Sequence, residues 1–325
     1  MIEYESTPEV RRVIADLGRT EDLRFSPCGK ILAIAAFNGS NIVLLKIDIA
    51  PSPAGQTISI ADYVRFSSES IEHPHGLVFI DEKTLVVANR SQFVSIFRIP
   101  AFGGVEKDFV IKPIGIIRKK RFRKLDSPGS VDVYPISKDK YRLLICDNYA
   151  HAVTVTHLTT QNRLSAGKNR VLLDKGLDVP DGISISANRR WIAVSNHTPG
   201  TVYIYANTPD LDSKTDPVAI LAGMDCPHGL RFARQDQLIV VADAASPHLF
   251  VYLNNGDSWS GEYQPYRIIR VMDEQTFHLG RHNEEEGGTK GVDILDGILA
   301  TTCEHQPLTF YDFDSFLQQS TMPSN

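Results

Sequence analysis

The sequence predicts an all-β protein, a six-bladed β-propeller built from four-stranded antiparallel blades. Three observations carry that prediction. One plan of strand, polar turn, strand, polar loop and strand recurs six times along the 325 residues. The six copies are evenly spaced, and the two ends of the chain complement each other. Self-similarity at a period of this size marks a repeat architecture, and strands in place of helices within the unit select a propeller over a helical solenoid.

The copies start at Thr20 (TEDLRFSPCGKILAIAAFNGSNIVLLKI), Pro74 (PHGLVFIDEKTLVVANRSQFVSIFRI), Pro128 (PGSVDVYPISKDKYRLLICDNYAHAVTV), Pro180 (PDGISISANRRWIAVSNHTPGTVYIY), Pro227 (PHGLRFARQDQLIVVADAASPHLFVY) and Thr289 (TKGVDILDGILATTCEHQPLTFYDF). Their second residues, Glu21, His75, Gly129, Asp181, His228 and Lys290, stand 54, 54, 52, 47 and 62 residues apart. Within the second copy GLVFI and TLVVA are short β-rich runs bounded by turn residues, and FVSIFRI alternates apolar with polar side chains. The segment before the next copy, such as DPVAILAG or YRIIRVMD, supplies a fourth strand, and VIKPIGII is expected to be the outermost strand of blade two. The last copy ends after LTFYDF one strand short, while EVRRVIADLG at the start has no blade in front of it. Residues 9–16 are therefore predicted to complete blade six, with residues 1–325 forming one propeller domain.

Composition narrows the function classes. With 42% hydrophobic and 22% charged residues and a net charge of −5, the chain is that of an ordinary globular protein with no strong pull towards nucleic acid. The acidic start MIEYESTPEV is unlike a signal peptide, and no apolar run has the length of a membrane span, so a cytoplasmic location and no membrane partner are expected. Cys28, Cys146, Cys226 and Cys303 lie far apart and form neither a disulfide framework nor a zinc finger. The run RKKRFRK from Arg118 reads as lysine and arginine protecting an exposed outer strand, and nucleic-acid binding ranks well below that. No Gly-rich phosphate loop, Gly-x-Ser-x-Gly elbow or nucleophilic Cys-His context is present.

Propeller geometry assigns the chemistry. The innermost strands start around the central channel, so Glu21, His75, Gly129, Asp181, His228 and Lys290 are expected to ring one mouth. The loops between second and third strands surround them with Asn89, Asp147, Asn148, Asn196, His197, Asp243, Glu304 and His305, the expected substrate-binding residues. Pro-His-Gly occurs twice because proline sets the approach and glycine lets the backbone crowd near the channel, which aims each imidazole inward. Glu21, His75, Asp181 and His228 together form a mixed nitrogen and oxygen set suited to a divalent ion, with Zn²⁺, Mn²⁺ or Fe²⁺ favoured over Ca²⁺. A second reading stands beside it, in which the histidines hydrogen-bond the neighbouring blade and Asp181 caps backbone amides.

The copies resemble those of six-bladed propellers of the NHL and SMP-30/gluconolactonase/LRE-like group, in which strand starts like PDGISIS and stretches like VSNHTPGTVYIY are common. Blade one is also similar to YVTN or lactonase-type repeats. The gluconolactonase resemblance implies a metal held by a glutamate of the first blade and by Asn or Asp at later strand starts. Glu21 matches by position, without the family's Glu-Gly-Pro context, and Asp181 matches in wording. His75 and His228 have no counterpart in that set, and Gly129 leaves the third blade without a ligand.

The longest interval contains QTFHLGRHNEEEGG, which crosses the same face from about Asp273; a long loop on a binding face is commonly a lid, and a solvated acidic loop with a short helical turn ranks ahead of that reading. His282 is its candidate catalytic residue, with Asp181 as proton carrier and Lys290 as a partner for a substrate carboxylate, Asp181 or Glu21. The expected function is metal-dependent hydrolysis of a small lactone or ester at the channel mouth. The alternative is a non-catalytic propeller that binds a small molecule or a protein partner on the same face.

Overall fold

The structure, a computed structural model, describes residues 1–52, 55–118, 125–161 and 163–318. Six small sheets stand around a central axis as the blades of a six-bladed β-propeller. The innermost strands, here strand A of each blade, are Thr20–Phe25, Pro74–Asp81, Pro128–Ser137, Pro180–Ile185, Pro227–Ala233 and Gly291–Leu295. Each pairs antiparallel with its strand B: Ile31–Ala36, Thr84–Asn89, Lys140–Asp147, Trp191–Asn196, Leu238–Asp243 and Ile298–Thr302.

The strands read as nearly continuous apolar runs because both of their faces are buried. In strand B of blade one, Leu32 and Ile34 enter the cluster shared with blade six, while Ala33 and Ala35 enter the cluster shared with blade two. The same two-residue alternation feeds the clusters between the remaining neighbours. Carboxylates add specific ties between adjacent strands A. Leu77 N–H donates to Asp22 Oδ2 at 2.9 Å, Ile185 N–H to Asp132 Oδ2 at 2.8 Å, and Phe25 N–H to Asp293 Oδ2 at 2.8 Å. The last of these joins blade six to blade one. Arg24 and Arg231 lie between these carboxylates inside the channel and neutralise them.

Two outer segments differ from expectation. Residues 9–16 do not form a strand of blade six: Pro8–Ala15 is a helix, α1, capped by Thr7, with Pro8 and Glu9 in its first turn. Val10 and Ile14, one turn apart, are buried, and with Leu17 they seal the cluster between blades six and one. Tyr4–Ser6 pairs parallel with Gly55–Ser67, the outer strand of blade one, and Ile2 makes an antiparallel bridge to Phe310 in the third strand of blade six, Thr309–Asp312. The chain start thus does reach the last blade, through Ile2. The stretch VIKPIGII also divides. Asp108–Val110 pairs with Gly55–Ser67 of blade one, and only Gly115–Arg118 is the outer strand of blade two. Pro113, which has no N–H and a fixed φ, separates the halves. Beyond Arg118, residues 119–124 of the basic run lie outside the described residues. No helix among the described residues is long and apolar enough to cross a membrane.

Candidate functional site

In five of the six blades the pairing of strands A and B slips just after the first residue of strand A, between Thr20 and Leu23, Pro74 and Leu77, Pro128 and Val131, Pro180 and Ile183, and Pro227 and Leu230. A repeated bulge at this position re-aims the second residue of the strand towards the axis, Gly129 being the one without a side chain. In blades two, four and five the following glycine makes room for the side chain. A Cβ on Gly76 would lie 2.5 Å from Ser130 Cα, one on Gly229 2.5 Å from the Lys290 carbonyl oxygen, and one on Gly182 would strike the His228 carbonyl.

Glu21, His75, Asp181 and His228 meet as expected. His75 Nε2 is 3.3 Å from Glu21 Oε2 and 3.8 Å from Asp181 Oδ1; His228 Nε2 is 3.4 Å from Glu21 Oε2 and 3.2 Å from Asp181 Oδ2. The imidazole centroids are 5.0 Å apart, and all four residues are buried. His75 Nδ1 donates to the Gly129 carbonyl at 3.0 Å and His228 Nδ1 to the Lys290 carbonyl at 3.1 Å. In both rings Nδ1 thus faces a carbonyl, which leaves Nε2 facing the carboxylates. Glu21 Oε2, the oxygen facing both rings, has no hydrogen-bond partner among the described residues. Glu21, His75 and His228 offer ligand atoms within 4.8 Å of one another. Asp181 lies alongside them.

Three cations surround this centre. Lys290 Nζ is 3.2 Å from Glu21 Oε1, Arg19 pairs with the same oxygen, and Arg90 Nη2 donates to His75 Nε2 at 2.9 Å and to Asp181 Oδ1 at 3.4 Å. Burial alone would raise both carboxylates. Lys290 and His75 hold Glu21 well below the usual range, and His228, Arg90 and His75 do the same for Asp181. Burial and then Arg90 push His75 down to about 4, so its ring is neutral at pH 7. For His197, burial is outweighed by Asp181, 3.7 Å away, and by Cys226, and its value rises to about 10.

Gly129, the position without a side chain, is filled from elsewhere. Asn148 donates through Nδ2 to Asp181 Oδ1 at 3.0 Å, and a Cβ on Gly129 would collide with Asn148 Oδ1 and come within 2.7 Å of Asp181 Oδ1. The third blade therefore reaches the axis through its B–C loop.

Six of the eight residues expected in the outer ring separate into two kinds, while Glu304 and His305 are not among the described residues that line the cavity. Asn89, Asp147, Asn196 and Asp243 end strand B in four blades, and their side chains accept backbone N–H groups of the segment that leads into strand A, from Glu72, Asp126 and Ser127, Asp178, and Asp225 and Cys226 respectively. The next residue along points the other way. Phe37, Arg90, His197 and Ala244 line a cavity of about 470 Å³ above the axial cluster, and Asn148 touches Asp181 beneath it. Sequence reasoning missed Arg19, Arg90 and Tyr149, all of which line this cavity. The signal available was the two-residue alternation of an extended chain, which places Arg90 on the cavity side if Asn89 faces the backbone.

The long loop lies against the mouth. Helix α2, Glu274–Gly280, is capped by Asp273, and Gly288 N–H donates to the Ala244 carbonyl at 2.7 Å. Glu285 and Glu286 line the cavity, and Glu286 bridges Arg19 Nη2 at 3.0 Å and Lys290 Nζ at 2.5 Å. His282 stands apart from the axis and pairs with Glu304, Nε2 to Oε2 at 3.1 Å, next to His305.

Fold and site together define a six-bladed propeller with a buried cluster of imidazoles and carboxylates, a group that could hold a metal ion, at one mouth of its channel. No protein-family model matches the chain, and no curated protein matches it in sequence. Its fold is similar to that of a luciferin-regenerating enzyme, an SMP-30/gluconolactonase-like six-bladed propeller, with a TM-score of 0.55 and 11% identity over 90% of this chain and 86% of that one. At this identity the likeness is one of fold.

Proposed function

We propose that this protein is a metal-dependent hydrolase that opens a small lactone or ester at the channel mouth. The observation that carries the reading is the buried convergence of His75 Nε2, His228 Nε2 and the unpartnered Glu21 Oε2. A buried carboxylate oxygen with no hydrogen-bond partner, facing two ring nitrogens, calls for a cation beside it, and two imidazoles with a carboxylate suit Zn²⁺, Mn²⁺ or Fe²⁺ better than Ca²⁺. Such an ion supplies carbonyl polarisation and a more acidic water. Asp181, ionised beside this set, accepts the proton of the water that attacks the acyl carbon. The C–O bond to the leaving oxygen then breaks, and the proton passes to that oxygen. Lys290 and Arg19, which hold the Glu286 carboxylate, would hold a carboxylate of the substrate in its place, and Tyr149 offers an apolar wall. His282 falls outside this scheme.

One observation favours the second reading, a non-catalytic propeller that binds a small molecule or a protein partner on the same face. Arg90 donates to His75 Nε2, so a network of protons and guanidinium groups satisfies part of the cluster without metal. Metal analysis of protein purified without a His-tag, together with the His75→Ala, His228→Ala and double variants, separates the two. For one shared centre each single change should remove most of the axial metal and the activity, and the double change little more. A metal-free, folded parent whose variants lose roughly 1–3 kcal/mol each in additive steps would establish the second reading.

A further inference from the structure

We propose that His282, Glu304 and His305 form a second divalent-metal site, separate from the axial cluster, that takes Zn²⁺ and pins the long loop to blade six. The ligand atoms of the three residues lie within 4.8 Å of one another. Two imidazole nitrogens and one carboxylate oxygen make a three-ligand zinc set with a fourth position open to water. The site is at the rim, where Glu304 is 24% and His282 57% exposed, so an ion reaches it without passing through the cavity.

The three ligands come from two elements whose placement is settled without metal. Glu304 and His305 sit in the turn that follows strand B of blade six, where Cys303 N–H donates to the Gln306 carbonyl at 3.2 Å and Gln306 Nε2 donates to the Val271 carbonyl at 3.0 Å. His282 follows α2 by two residues. Phe277 of α2 and Cys303 of the turn share one apolar cluster with Met272, and a Cβ on Gly280 would stand 3.6 Å from the His305 ring. Both sides of the site are thus anchored on the same small core, which limits the order that binding must impose. His278, the other histidine of this segment, is paired with Glu274 at 2.9 Å and stays outside the site. An ion bound here would hold the segment that carries Glu285 and Glu286 over the cavity.

The test uses full-length protein stripped with a chelator and titrated with Zn²⁺ by calorimetry. In the His75→Ala/His228→Ala protein, which lacks the axial imidazoles, one equivalent should bind. Adding His282→Ala or His305→Ala should weaken that binding by about tenfold or more. Zn²⁺ should also slow tryptic cleavage after Arg281 in the parent and not in His282→Ala. Zinc affinities of the His282→Ala and His305→Ala proteins within about twofold of their parent would overturn the site, as would a His75→Ala/His228→Ala protein that binds none. Should that double variant fail to fold, the comparison is parent against His282→Ala/His305→Ala, which must bind one equivalent fewer. If the axial reading fails and the rim site stands, the parent and the His75→Ala/His228→Ala protein bind the same single equivalent.

Discussion

In Pro227-His228-Gly229 each residue answers a separate physical demand. Proline opens the strand without needing an amide partner, the bulge turns the imidazole to the axis, and the absent Cβ lets the backbone approach the Lys290 carbonyl. Gly229→Ala should therefore destabilise the fold by roughly 1–3 kcal/mol, because the atom it meets is backbone and cannot swing aside; a denaturant melt measures it. His75 contributes pH dependence to the metal-free protein between about pH 4 and 6.5. Its ordinary value is 6.5 and burial with Arg90 lowers it to about 4, so below pH 6.5 the unfolded chain takes up a proton that the folded one refuses. The stability this group contributes is complete above 6.5 and is lost as pH falls towards 4, by up to roughly 3 kcal/mol. His75→Asn should flatten that part of a melting-temperature profile relative to the parent.

Among the elements, α1 shows how a correct periodicity can be set aside for a topological argument. Val10, Val13, Ile14 and Leu17 recur at helical spacing behind Thr7 and Pro8, and all four meet the cluster between blades six and one. The open outer edge of blade six predicts a strand instead, and the buried face of the helix overrides it. Thr7→Ala should cost about 1 kcal/mol through loss of the cap. Deleting residues 1–17 removes three buried apolar side chains and should lower the melting temperature steeply or cost solubility. The long loop belongs to the opposite class, with exposed side chains at Glu284 and Glu285 and carboxylates turned to the cavity. Replacing residues 281–287 with a Gly-Ser linker should spare the fold and free Arg19 and Lys290 from Glu286. A calorimetric titration with succinate should then show tighter binding than in the parent, and equal affinities would return the loop to a solvated insertion.

At the scale of the molecule, stability is passed from blade to blade around a closed ring. Apolar clusters fill every gap, and the Phe25 to Asp293 hydrogen bond and the Ile2 to Phe310 bridge complete it at the seam. A ligand that joins blades one, two and five at the axis should stabilise the whole. In His282→Ala/His305→Ala protein, where only the axial site remains, Zn²⁺ or Mn²⁺ at about a hundred times its dissociation constant should add about 2.7 kcal/mol and raise the melting temperature. No such rise is expected once His75 and His228 are also replaced by alanine.

The sequence by itself determined the number of blades, the strands A and B of each, and the meeting of Glu21, His75, Asp181 and His228, because these rest on repeat length and on alternation, both local properties of the chain. Only the tertiary structure decided what covers the outer edges and which polar residues serve the cavity. Asn89 and Arg90 are equally polar, and nothing in their order says which faces the backbone amides and which the channel. Asn148 fills the place left by Gly129 across a gap in sequence that no periodicity marks. His282 parts from the axial histidines for the same reason: proximity between loops of one face is set by the curvature of the ring, which no single copy contains.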